Sequence, residues 1–412
     1  MGLLLAGPLN AQTYTFTKIA DTQTAVPGGT GNFTNLIEAF SGEGMVGFYA
    51  ASGGSARGVY LAEIAGDGTV THARMADYST PAPGGSQNFS DFQLGRGGIL
   101  NGVAYFHGSY NDASGTWSGI HAYDSDTGTL SRVIGRGSSF PVLGGSTTQV
   151  GYVLSRGGNL TISTNRQSGL NYYGGFVRTT DGSVFTAPVD GSATGGTPNS
   201  IGPYATNGSR IVVRSSGTFH SFDAGGVQAT RDFTTVQVPN QAFNFGANLP
   251  AMALTANELF FTSNTSGVQG LYRINADLTG PVSLVADIST GFPGYAGNLS
   301  FFGALSANSD SVAFIANSGS SARGIFLYHA GQVSTIIDSL SPLDGLTISN
   351  FTMTEAGLSD DGLAFRVAFT NGANAIYYTS LSAVPEPATW AALLGGVALG
   401  LVGIQRKRRR TR

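Results

Sequence analysis

The chain has 412 residues, 61 of them Gly, while Asp, Glu, Lys and Arg together make up 11% against an average of about 25%. That excludes a coiled coil or a charged helical bundle, and 41% hydrophobic residues with 10% aromatics exclude a wholly disordered polymer. Six of the 21 basic residues (Arg406, Lys407, Arg408, Arg409, Arg410 and Arg412) occupy the last seven positions, so the remainder carries 15 basic against 24 acidic residues, a charge of −9. A body of that sign has no basic stripe for nucleic acid, and that partner is set aside.

The first segment, residues 1–11, reads MGLLLAGPLNA. An apolar stretch from Leu3 to Leu9 and a plausible small-residue cleavage point after Ala11 predict the back half of a secretory signal, with its start expected upstream. Cysteine is absent, which removes disulfides, thiolate metal sites and a Cys nucleophile.

The body, residues 12–383, is a series of period-two apolar runs bounded by Gly, Asn, Ser and Asp. Aligning Val46, Val103, Leu160, Ile211, Leu259, Val312 and Leu363 gives spacings of 57, 57, 51, 48, 53 and 51. A second run follows each after a Gly-rich or polar turn, and the turn SGGSARG at 52–58 returns as SGSSARG at 318–324. A third run closes several units on Asp21, Asp77, Asp287 or Asp338, mostly ahead of a Pro/Gly loop such as VPGG at 26–29. A fourth, near Phe33, Phe89, Phe301 and Phe351, opens the next unit.

Four strands in about 50 residues predict an all-β protein, a β-propeller of seven four-stranded blades. One small twisted sheet cannot cover its own faces, whereas neighbouring blades cover both. Units 149–198 and 201–240 are the most degraded, which keeps six and eight open beside seven. A β-solenoid fits less well because its coils are shorter than this repeat. The opening segment Tyr14–Asp21 lacks preceding strands and the last unit lacks a closing one, so the two are expected to share a sheet.

From Val384 the composition changes to VPEPATWAALLGGVALGLVGIQRKRRRTR. Trp390 to Ile404 is uncharged and apolar, which predicts a marginal membrane helix over 389–405 anchored by Trp390, Leu393, Leu394, Val397, Leu399, Leu401 and Ile404. Arg406, Lys407, Arg408, Arg409, Arg410 and Arg412 would hold its far end in the cytoplasm and place the body across the membrane.

This tail, 384–412, resembles the PEP-CTERM protein-sorting signal through Pro385-Glu386-Pro387, the short apolar run and the Arg-rich end. The resemblance implies export by the general secretory route and recognition of Pro385, Glu386 and Pro387 by an exosortase-type membrane protease. Transient residence in the inner membrane would end in release to the cell surface or beyond, in bacteria that make exopolysaccharide. It speaks to sorting and not to the role of the body.

Within the body no nucleophile elbow, zinc-protease motif or phosphate loop occurs, so no catalytic residue, metal or cofactor is expected. His72, His107, His121, His220 and His329 read as polar surface residues on strands, with His121 and His220 at equivalent repeat positions. Asp124-Ser125-Asp126-Thr127-Gly128 reads as a hairpin turn rather than a calcium loop, and the strand-end aspartates as Asx-type turns rather than a carboxylate ring. Asn-x-Ser/Thr at Asn32, Asn88, Asn159, Asn207, Asn264, Asn298 and Asn350 follows from Asn/Thr-rich repeat chemistry. Three roles fit: a noncatalytic exported propeller that binds polysaccharide or another surface component, an extracellular lyase or glycosidase with carboxylates at the channel mouth, or a structural matrix protein.

Overall fold

Each apolar run bounded by turn residues forms a strand, because alternation lets one strand present side chains to both neighbouring sheets. The computed structural model describes residues 14–381, with breaks at 54–56, 113–114, 139–146, 169–170, 179–183, 188–203, 216, 224–227, 240, 242–243, 247–248, 266–267, 293–296 and 320–321. A compact unit spans Thr13–Ser380.

The strands form an all-β propeller of four-stranded antiparallel sheets, seven among the described residues. In chain order they cover residues 33–77 (sheet 1), 91–135 (sheet 2), 147–187 (sheet 3), 204–232 (sheet 4), 252–287 (sheet 5), 299–338 (sheet 6) and 348–380 (sheet 7). Sheet 7 takes its fourth strand from the opposite end of the chain: Phe16–Asp21 pairs with Asn374–Ser380, from Phe16 opposite Thr379 to Asp21 opposite Ala375. The expected pairing of Tyr14–Asp21 with the last unit is therefore observed over Phe16–Asp21. Lys18 fastens this seam with ion pairs to Asp344 at 2.7 Å and Asp21 at 3.3 Å.

A ring pair recurs at one register position of the second and third strands. Phe48 stacks on Tyr60, Phe106 on His121, Phe261 on Tyr272, Phe314 on Phe326 and Phe365 on Tyr377, with interplanar angles of 24–29°. A third ring arrives edge-on: Phe33 on Tyr60 at 4.8 Å, Phe89 on His121 at 4.7 Å, Phe245 on Tyr272 at 4.8 Å and Phe292 on Phe326 at 5.0 Å. These T-shaped contacts match the ring quadrupoles and fix the loop that leads into each sheet. His121 stands where sheets 1, 5, 6 and 7 place Tyr or Phe. It is fully buried, as is His107, so the expectation of surface histidines fails at both positions. The cause is register, since Phe106 opposite His121 puts the imidazole on the core face.

A bulge in the fourth strand sits beside this position in sheets 1, 2, 5, 6 and 7. In sheets 1 and 2 it drives a carbonyl against a Gly of the third strand, where a Cβ on Gly58 would lie 2.9 Å from the Ala76 carbonyl oxygen and on Gly119 2.2 Å from that of Ile134, whereas sheet 7 holds Ala375 at this place.

Candidate functional site

The turns between first and second strands meet at one end of the ring and bind one another. The Glu43 carboxylate of sheet 1 accepts the backbone N–H groups of Asn101 and Gly102 in sheet 2 at 2.7 and 2.8 Å. Asn207 of sheet 4 donates its amide to the carbonyls of Thr255 and Ala256 in sheet 5. Ala256 N–H reaches Ser309 O in sheet 6, and Ser309 N–H reaches the Asp360 carboxylate in sheet 7 at 3.0 Å.

Sheet 7 closes this end differently. Where sheet 1 turns on Glu43–Gly44, sheet 7 inserts residues 353–361 between its first two strands. That loop crosses the axis. Thr354 donates to Ala39 O at 2.7 Å and Ser41 to Gly357 O at 2.6 Å, both in contact with sheet 1. Asn308 of sheet 6 donates to Ser359 O at 3.1 Å. Ser306 is the pin between sheets 6 and 7: it donates to Glu355 O at 2.7 Å and accepts from Leu358 N–H at 2.8 Å.

Arg156, at the end of the first strand of sheet 3, reaches the same loop from the other side of the ring. Its guanidinium donates to Glu355 O and to Ser155 O, the latter at 2.8 Å. Burial pulls its pKa down to about 10, against which the Asp360 and Glu355 charges act. A cavity of about 110 Å³ lies here, lined by Ser41–Glu43, Ile99, Leu100, Ser155–Gly158, Asn308, Ser309 and Ser359–Asp361. Residues of five sheets surround it, which only a position on the ring axis allows.

This mouth is where the enzyme expectation places its carboxylates, and Glu43, Asp360 and Asp361 are present. Glu43 and Asp360 hold backbone N–H groups, a fastening role. The mouth was missed from sequence because its members stand alone in unrelated turns. The extra length of 353–361 relative to the other turns was the available signal.

The strand-end aspartates behave as Asx turns. Asp77 Oδ1 accepts from Ser79 N–H and from the hydroxyls of Ser79 and Thr80, and Thr80 accepts Asp77 N–H in return. Burial pushes the Asp77 carboxyl up, but these bonds and Arg74 outweigh it and hold it below the usual range. Asp21, Asp287 and Asp338 repeat the turn. Facing them, burial and the Asp77 or Asp287 charge push the Tyr60 and Tyr272 phenols up to about 12. At Asp124, Thr127 N–H binds Oδ1 at 2.9 Å, a hairpin turn. The hydroxyls following Asn32, Asn88 and Asn298 have structural partners: Thr34 donates to Ala51 O, Ser90 to Ser109 O and Ser300 to Asn317 O.

Among the described residues no group of three His, Asp or Glu is placed to hold a metal ion. Nor is any described helix long and apolar enough to cross a membrane. Pro385, Glu386, Pro387, the anchor residues from Trp390 to Ile404 and the basic end from Arg406 lie outside the described residues.

Residues 383–410 match the PEP-CTERM protein-sorting motif. The PEP-CTERM tail implies export, cell-surface sorting and processing by exosortase. No curated protein matches the chain in sequence. Among solved structures, the β-propeller domain of the Trilobed protease from Pyrococcus furiosus, whose topology is described as open velcro, resembles it with a TM-score of 0.51 at 10% identity, over 85% of this chain and 96% of that one. An acylaminoacyl peptidase in complex with Z-Gly-Gly-Phe-chloromethyl ketone gives 0.50 at 11% identity, over 85% of this chain and 51% of that one. The chain thus spans about half the length of that peptidase. At such identities the likeness shows the propeller fold alone.

Proposed function

We propose that this chain is an exported, noncatalytic propeller that its PEP-CTERM tail delivers to the cell surface, where it binds a surface polysaccharide. The observation that carries the reading is the sorting motif at 383–410 directly behind a propeller whose last strand ends at Ser380. The tail supplies the address. In this reading 389–405 is a membrane helix that holds Pro385-Glu386-Pro387 at the outer interface, and the basic end keeps it from passing through. The roles given to Glu43 and Asp360 support the noncatalytic part, because a carboxylate engaged in holding backbone N–H groups is a poor proton shuttle.

Mass spectrometry of the native extracellular protein tests the sorting. The mature chain should end near the Pro-Glu-Pro segment, and an intact Arg412 on released material would sink the proposal. The binding part is tested by retardation in gels that contain polysaccharide.

A further inference from the structure

The first strands of the sheets begin at the end of the ring remote from Arg156, and there the repeat has a rule with one exception. In sheets 1, 3, 6 and 7 the first strand skips one residue in its pairing with the second: Thr34, Thr148, Phe301 and Ser349. Three are hydroxyl residues. Thr34 donates to Ala51 O at 3.2 Å and Ser349 to Ala368 O at 2.9 Å, tying the bulge to the facing strand.

Phe301 cannot make that bond, and Ser300 makes a comparable one with Asn317 O at 3.4 Å. The bulge therefore does not need a phenyl ring. Yet Phe301 is 49% exposed, and it is the one aromatic among the exposed large hydrophobic side chains of the described residues. It also holds a φ of 43°. Among the described residues the other non-Gly positive φ values, at Glu43, Asn101, Leu278, Ala330 and Asp344, belong to connections between strands; Phe301 has its own inside one. A bulky residue held in the left-handed region with its ring in water is costly twice over, in backbone strain and in lost burial.

Other first strands at the same end of the ring indicate what would use such a side chain. Thr34, Asn35 and Ser349 are exposed near the starts of the innermost strands of sheets 1 and 7, and Asn350 is half-buried beside them. These groups are polar and uncharged. The arginines beside them are half-buried, Arg366 donating to Leu36 O and Arg323 standing opposite Asn317, and the body, residues 12–383, is acidic with 15 basic against 23 acidic residues.

We propose that Phe301 is the stacking platform of a subsite for an uncharged sugar ring at this mouth. The electron-rich face of the phenyl ring suits the weakly positive C–H face of a pyranose, and the hydroxyl and amide groups exposed at the starts of the first strands of sheets 1 and 7 suit its hydroxyls. The inference rests on the polysaccharide reading above and gives it a location.

Phe301→Asn is the informative variant, because Asn tolerates a positive φ and removes the ring. The mature secreted protein is run in native gels that contain dextran, β-glucan or galactomannan, with alginate as the anionic comparison. The wild type should be retarded by at least one neutral polymer more than by alginate, and Phe301→Asn should weaken that apparent affinity about tenfold with an unchanged or higher Tm. Equal retardation of the variant overturns the subsite and leaves the binding reading standing. No retardation of the wild type by any neutral polymer, or stronger retardation by alginate, overturns the reading and the subsite together. A lower Tm for Phe301→Asn identifies the ring as a packing group, which also overturns the subsite.

Discussion

Phe16 lies opposite Thr379, and the pair joins the first described strand to the last. Phe16 also packs edge-on against Phe365, with ring centroids 6.0 Å apart. Without Phe16–Asp21 the outer edge of sheet 7 is open along Asn374–Ser380 and the core behind Ile19 and Ala20 is uncovered. Deleting residues 14–21 should lower Tm sharply and broaden the transition followed by circular dichroism. A variant that melts like the parent would show that the ring does not depend on its seam.

His121 predicts an acid-sensitive stability. Burial, with His107 adding in the same direction, drives its pKa from 6.5 down to about 3. The unfolded chain therefore binds a proton that the folded one refuses, so stability is full above pH 6.5 and falls as pH drops towards 3, by at most about 1.4 kcal/mol per pH unit from this group. Strand-end carboxylates such as Asp21 and Asp77, held low in the fold, act in the same direction at lower pH. Replacing His121→Phe, the ring that sheet 6 carries as Phe326, should flatten urea-derived stability between pH 6.5 and 4.5. Parallel curves for the two proteins would refute this.

At the axial mouth the two polar pins differ in kind. Ser306→Ala removes both the donor to Glu355 O and the acceptor for Leu358 N–H in a buried place, and should cost about 1–3 kcal/mol in chemical denaturation. Arg156→Met removes a charge that burial disfavours and fills a similar volume, and should leave stability within about 1 kcal/mol of the parent. The reverse order would mean that the guanidinium, rather than Ser306, carries the contact across the axis.

For the tail, replacing Pro385-Glu386-Pro387 by alanines should leave export intact and prevent release, because the proposed function makes these residues the element a protease recognises. Cell fractionation with antibody detection reads the outcome. Normal release of the triple variant would remove those residues from recognition.

The architecture was legible because every sheet repeats the same physical demand. The spacing from Val46 to Leu363, the Asp that ends the fourth strands and the missing partners at both chain ends are local signals that the fold reuses. What escaped is what breaks the repeat. His121 reads as polar, and only its register opposite Phe106 shows that it substitutes for a tyrosine. Residues 353–361 carry no signal of their role, since nothing in MTEAGLSDD announces that its carbonyls will meet Ser41 and Arg156 from distant sheets. Phe301 was noticed as the opening of a strand, and its exposure depends on a bulge that sequence does not display.

The seam has a consequence for the order of events during secretion. A chain that threads through a translocon emerges from its N-terminus, so Phe16–Asp21 arrives outside among the first residues and its partner Asn374–Ser380 among the last. Contacts of such sequence separation form slowly and late. Until then the opening strand is an unsatisfied edge, exposed to mispairing with other emerging chains. Ser380 stands only a few residues ahead of the motif that starts at 383, so the strand that completes the ring emerges just before the sorting signal. A propeller sealed in this way reaches its final form only when its address is ready to be read.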